Sequence, residues 1–157
     1  MDLRALDYSG TFNPSIGVES APRVKSVVLT ADTETVVLIK IDAIFPYEGM
    51  TLDIAEELGP EFHGKVLVSA SHSHSAWAQY TGHTGYQVGA GVMRDKVYRA
   101  FVDGAVTATE QALASRRTAK LGIYTDFSFD TDDEINRDRR NENDLLPGGD
   151  IDDQSFY

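Results

Sequence analysis

The sequence predicts an α/β fold: a mixed sheet containing a βαβ unit, with helices packed on it. Three patterns predict it. Two β-branched runs in "RVKSVVLTADTETVVLIKID" are separated by the turn composition "ADTE". The apolar spacing then changes to the helical period in "GMTLDIAEELG". A short apolar run, "KVLVSA", follows at the distance a crossover requires.

Residues 1–22 form a mixed lead-in broken by Gly10, Pro14, Gly17 and Pro22. The hairpin comes next, and its second arm, "TVVLIKI", is nearly continuous in apolar residues. That favours a central strand covered on both faces. In the following helix Met50, Ile54, Ala55 and Leu58 share one face, and Gly59-Pro60 ends it. The span from Val36 to Ala70 therefore reads as βαβ, with parallel strands and a right-handed crossover. The clearest helix is "VMRDKVYRAFVDGAVTATEQALASRR", where Val97, Phe101, Ala105 and Ala108 head a wide apolar stripe. Arg116 and Arg117 stand at its C-terminal end, where positive charge suits the helix dipole. "AKLGIYTDFSF" reads as one more strand.

At 157 residues the chain holds roughly one domain of material. It has no cysteine, which excludes disulfides and thiolate chemistry. No run approaches the ~20 apolar residues of a membrane span, and "MDLRALDYSG" does not read as a signal peptide, so the location is left open, cytoplasmic only as the sequence is written. The net charge of −11 is uneven: residues 126–157 carry 3 bases and 11 acids, or −8 of the total. Nonspecific binding to nucleic acid or to an anionic membrane needs positive potential, so neither is expected.

Three of the four histidines fall in "VLVSASHSHSAWAQYTGHTG", Val66–Gly85. In open α/β sheets ligands gather outside the carboxyl ends of the strands. "VVLIKID" ends at Asp42 and "KVLVSASHSH" runs into His72 and His74, so all three side chains should emerge at one end of the sheet. An extended "HSH" places both imidazoles on one side, where they suit a shared metal ion, or a metal ligand beside a proton donor. Serines 69, 71, 73 and 75 add hydroxyl partners. Catalytic zinc usually takes three protein ligands, so two histidines make an incomplete site, and an isolated "HxH" is a weak signal. Asp42 either caps loop amides or bonds to a histidine from behind. Trp77 and Tyr80 either cover the core or line an apolar substrate wall. His83 reads as a loop residue, and His63, before the strand, as solvent-exposed at the opposite end.

The histidine segment "VLVSASHSHSAWAQY" resembles the part of the neutral/alkaline non-lysosomal ceramidase family in which a strand leads into a His-Thr-His-Ser-Gly-Pro-Gly-Gly loop. "SAPRVKSVVLTADTETVVLIKIDAI" is similar to that family's preceding strand pair, which also closes on an aspartate. "DDEINRDRRNEN" resembles its Asn-Arg-Ser-Pro segment, and "DIDDQSFY" the approach to a further strand. The resemblance implies a zinc-dependent amidase that cleaves the N-acyl bond of ceramide or a related lipid. It implies zinc as cofactor with His72 as a ligand, His74 as the active-site histidine, and Arg137 as an arginine contacting substrate or developing negative charge. Asn136 matches the family's asparagine at the substrate. A guanidinium suits its role, being a planar and permanent donor to an oxyanion.

The chain departs from the family where "SAWAQYTG" replaces Ser-Gly-Pro-Gly-Gly, so side chains occupy positions that the family gives to glycine. The remaining zinc ligands that the resemblance implies (a later histidine, a glutamate and a tyrosine) do not occur in these residues. The expectation is therefore that residues 1–157 form the N-terminal portion of one α/β catalytic domain, incomplete relative to the full domain. Residues 126–157 would be an acidic active-site loop, and a missing C-terminal part or a second chain would complete the domain. On this reading the isolated chain is inactive and its parent is the hydrolase. The alternative is a non-catalytic or divergent α/β protein using the same scaffold for binding or assembly.

Overall fold

The computed structural model describes residues 17–125. It divides the chain into two units, residues 1–116 and 117–157. In the first, strand β1 (Val24–Ala31) and strand β2 (Glu34–Ile41) form the expected antiparallel hairpin. The turn between them uses Asp32 at φ 54°, a left-handed conformation that aspartate tolerates better than most residues. Helix α1 (Glu48–Leu58) and a 3₁₀ turn (Pro60–Phe62) lead to strand β3 (Val66–Ala70). β3 pairs parallel to β2, with Val37 opposite Val66 and Ile41 opposite Ala70, in the order β1-β2-β3. The βαβ reading is thus correct in its order, length and parallel pairing. A short helix α2 (Thr84–Ala90) and the long α3 (Asp95–Ala114) complete the elements.

The core lies between one face of the sheet and the helices. Val37, Ile39 and Ile41 of β2 meet Met50 and Ile54 of α1, and Val97, Phe101, Val102 and Ala105 of α3. Burying each of these larger side chains contributes about 1.5–3 kcal/mol. α3 lies close on β1, where Gly104 faces the Val24 methyl and the Thr109 hydroxyl meets Ser26 at 2.9 Å. Arg116, just past the helix end, donates Nε to the Leu113 carbonyl, as its placement near the dipole predicts.

Two expectations need correction. β2 is central but has only one covered face among the described residues, because the helices pack on the same side. Its burial alternates, leaving Val36 and Leu38 exposed beside Val27 (53%) and Leu67 (61%). The unbroken apolar run therefore marks two apolar faces, not two covered ones. The final strand is also absent over residues 119–125, the described part of "AKLGIYTDFSF". A strand needs a hydrogen-bonding neighbour, and there Leu121, Ile123 and Tyr124 are exposed. No helix among the described residues is long and apolar enough to cross a membrane.

Candidate active site

The parallel pairing of β2 and β3 decides where the polar residues emerge. Both chains continue side by side past their strands, with Ser71 N–H bonded to the Ile41 carbonyl at 3.0 Å and Ser73 N–H to Ala43 at 3.2 Å. Asp42, His72 and His74 accordingly stand at the same end of the sheet, as the strand reading required.

The geometry at His72 differs from an extended "HSH". His72 adopts φ 57°, so the two-residue alternation of a strand does not apply across it. The imidazoles nevertheless meet, centroids 4.9 Å apart and nearly perpendicular at 83°. His72 Nδ1 lies 2.6 Å from the Ile44 carbonyl oxygen. A carbonyl only accepts, so Nδ1 carries the proton and the Nε2 lone pair points elsewhere. That tautomer is the one a metal-binding imidazole adopts when backbone holds its other nitrogen. Left-handed backbone on a non-glycine residue costs about 1–3 kcal/mol and gathers at functional sites.

Of the two roles open to Asp42, the structure shows the cap: its Oδ2 accepts the Arg23 N–H at 2.9 Å. The group behind His72 is the Ile44 carbonyl, not this carboxylate. Asp42 instead lines a polar recess of about 340 Å³ with Ser20, Ser71, Ser73 and Ser75.

Tyr80 belongs to the core. It is 0% exposed, with its ring 5.3 Å from Phe101 and 5.5 Å from Phe45, which corrects its expected place on a substrate wall. Its hydroxyl donates to the Phe45 carbonyl at 2.9 Å and accepts the Phe45 N–H at 3.2 Å. Burial pushes that hydroxyl up to about 12, against the opposing pull of the Phe45 hydrogen bond. Trp77 is half-buried, edge-on to Phe101 at 6.1 Å, in a groove shared with Pro22, Val24 and Gly104. His83 is exposed and precedes α2 against Tyr86, while exposed His63 pairs with Glu56 at 3.0 Å. Asn136 and Arg137, with the whole 126–157 segment, lie outside the described residues.

Gln79 was not singled out by sequence. It takes φ 67° while only 5% exposed, and its Oε1 is buried without a hydrogen-bond partner. The signal that could have found it is its alignment with the last glycine of the His-Thr-His-Ser-Gly-Pro-Gly-Gly loop. Among the described residues no three histidines, aspartates or glutamates gather to hold a metal. His72 would offer a metal one nitrogen of suitable chemistry, with a second imidazole beside it.

Residues 2–141 match the family model described as "Neutral/alkaline non-lysosomal ceramidase, N-terminal". The chain belongs to this ceramidase family. Its fold is similar to that of neutral ceramidase from Pseudomonas aeruginosa, with a TM-score of 0.65 at 21% identity over 72% of the chain. A structure described as ceramidase complexed with C2 is similar at TM-score 0.56, with 21% identity over 72% of the chain. This ceramidase-family chain spans 19% of the length of each of those solved chains. None of the curated proteins compared with it matches.

Proposed function

We propose that this chain contributes the first metal ligand and part of the substrate machinery of a zinc-dependent amidohydrolase. Its substrate would be the N-acyl amide of ceramide or a related lipid. The observation that carries the reading is His72 in a member of this family, with Nδ1 held by the Ile44 carbonyl and Nε2 left to ligate. His72 would hold zinc through Nε2, with the remaining ligands supplied from outside the described residues. When bound, the metal would polarise the amide carbonyl and lower the pKa of a water.

The chain's own residues do the rest. His74, its ring against that of His72, accepts or returns a proton at the scissile amide. Arg137, assigned by its match to the family's arginine, binds the substrate or the oxyanion that develops from its carbonyl. Asn136 adds a neutral contact beside it. The bond from Nδ1 to the Ile44 carbonyl would hold the imidazole in place at the site.

The test compares His72→Ala and Arg137→Ala in the active protein that carries this segment. Zinc content is measured beside kcat/KM on an N-acyl sphingoid amide. His72→Ala should lose zinc and activity together. Arg137→Ala should keep zinc and lose about 100-fold or more in rate, the cost of one oxyanion donor. Full zinc and activity in His72→Ala would remove the metal assignment, and equal zinc loss in both variants would reassign Arg137 to supporting the site.

A further inference from the structure

The Ile44 carbonyl and the Phe45 N–H belong to one peptide group. That group is planar and trans, so its C=O and N–H point in opposite directions from one rigid plate. His72 bonds one edge of the plate, Nδ1–H to the Ile44 oxygen at 2.6 Å. Tyr80 bonds the other, its hydroxyl oxygen accepting the Phe45 N–H at 3.2 Å. The same hydroxyl donates its proton to the Phe45 carbonyl at 2.9 Å, so Tyr80 holds both main-chain groups of Phe45.

We infer that Tyr80 is a positioning residue for His72, fixing the imidazole's tautomer and aim through the shared 44–45 peptide plane. Rotation of that plane would break the Tyr80 and His72 contacts together. The tyrosine is suited to the task because its ring is fully buried, packed between Phe45 and Phe101. His72, by contrast, is exposed. An exposed imidazole left to itself prefers the proton on Nε2, which removes the lone pair a metal would use. Anchoring the acceptor carbonyl from inside the core reverses that preference without any contact between the tyrosine and the imidazole. The functional consequence rests on the zinc reading above, whereas the tautomer itself does not.

The experiment removes only the hydroxyl. Tyr80→Phe in the 157-residue chain keeps the ring and frees the peptide plane. Metal-free protein with ¹⁵N-labelled histidine is examined by NMR about two pH units above the ordinary histidine pKa, where imidazole is neutral. Wild-type His72 should show the Nδ1–H tautomer, and Tyr80→Phe should shift about half or more of it to Nε2–H. Phe101→Leu is the control: it loosens the packing on the Tyr80 ring but keeps the hydroxyl, so stability should fall and the tautomer stay. Zinc affinity, read separately by titration, should drop about 10- to 100-fold in Tyr80→Phe, the usual result of losing a group behind a metal ligand.

A folded Tyr80→Phe protein with an unchanged tautomer would overturn the inference, and so would a wild-type His72 protonated on Nε2. If Tyr80→Phe does not fold, the wild-type protein decides. An Nδ1–H tautomer together with a slowly exchanging Phe45 amide supports the inference, and either one missing overturns it. Wild-type protein that binds no zinc but shows the tautomer shift in Tyr80→Phe would remove the zinc reading and leave the positioning role standing.

Discussion

Replacing His72 by glycine should leave a more stable protein than replacing it by alanine, the reverse of the usual order. His72 holds φ 57°, and this backbone costs an L-residue about 1–2 kcal/mol. Alanine retains that cost and glycine sheds it. Glycine's larger unfolded-state entropy takes back about 0.5–1 kcal/mol. The difference should favour glycine by about 0.5–1 kcal/mol. Other terms cancel in the comparison. Both variants lose the Nδ1 bond to Ile44, a net of about 0.5–1.5 kcal/mol each. Neither opens a core cavity, because the residue is exposed. The assay is urea unfolding of the parent and both variants, comparing midpoints at a common slope. Alanine more stable than glycine by about 0.5–1 kcal/mol, as at an ordinary exposed site, would refute the strained backbone at this position. Metal binding, on the function proposed for His72, should be lost equally in both, which separates the conformational role of the position from the proposed ligating one.

Alkaline stability should fall between pH 10, the ordinary tyrosine value, and about 12, the value of Tyr80 in the folded chain. The folded state holds this proton more tightly than the unfolded state, so the contribution is whole below 10 and lost as pH rises to 12, a span worth about 3 kcal/mol. Tyr98 is raised in the same direction, by burial first and then by its hydrogen bond to Asp53, so Tyr80→Phe should flatten only part of the slope. Urea midpoints that stay constant from pH 9 to about 11 would contradict the burial of both hydroxyls. Gln79→Gly should stabilise the chain by about 1 kcal/mol: relief of the left-handed backbone and of an unpaired amide oxygen outweighs the lost packing and glycine's entropy. Calorimetry checks it, and a lower melting temperature in the glycine variant would mean that the glutamine side chain is needed where it stands.

How much was legible in sequence follows from which groups carry a pattern. The βαβ unit was readable because Met50 and Ile54 recur at helical spacing between two β-branched runs, and parallel pairing then dictated that Asp42 and His72 share an end. Helix α2 was not readable. It has only Ala90 buried, carries Gly85 and Gly89, and is held by polar contacts, the Gln87 side chain to the Gly82 carbonyl and the His83 carbonyl to two amides. The partner of His72 was invisible for a different reason: a main-chain carbonyl belongs to every residue and leaves no mark in the sequence. Tyr80 was ambiguous because its ring and its hydroxyl argue for different environments, and only the position of Phe45 resolves them.

That leaves the question of whether His72 is a site residue or loop filler, and the backbone answers part of it. Hydrogen bonds from Ser71 and Ser73 to the extension of β2 hold the main chain on both sides of His72. Between them the chain takes a left-handed step. Were loop geometry the only demand, glycine or asparagine would meet it at lower cost. Histidine enters that conformation more readily than most residues but at more cost than glycine, and its ring makes a 2.6 Å bond that requires a proton on Nδ1 and leaves the Nε2 lone pair for another partner. No other side chain both donates to a carbonyl at one ring atom and presents a neutral nitrogen ligand at another. Loop geometry alone therefore accounts for the backbone but not for the imidazole, and the metal role proposed for His72 would use its Nε2 with a second imidazole 4.9 Å away.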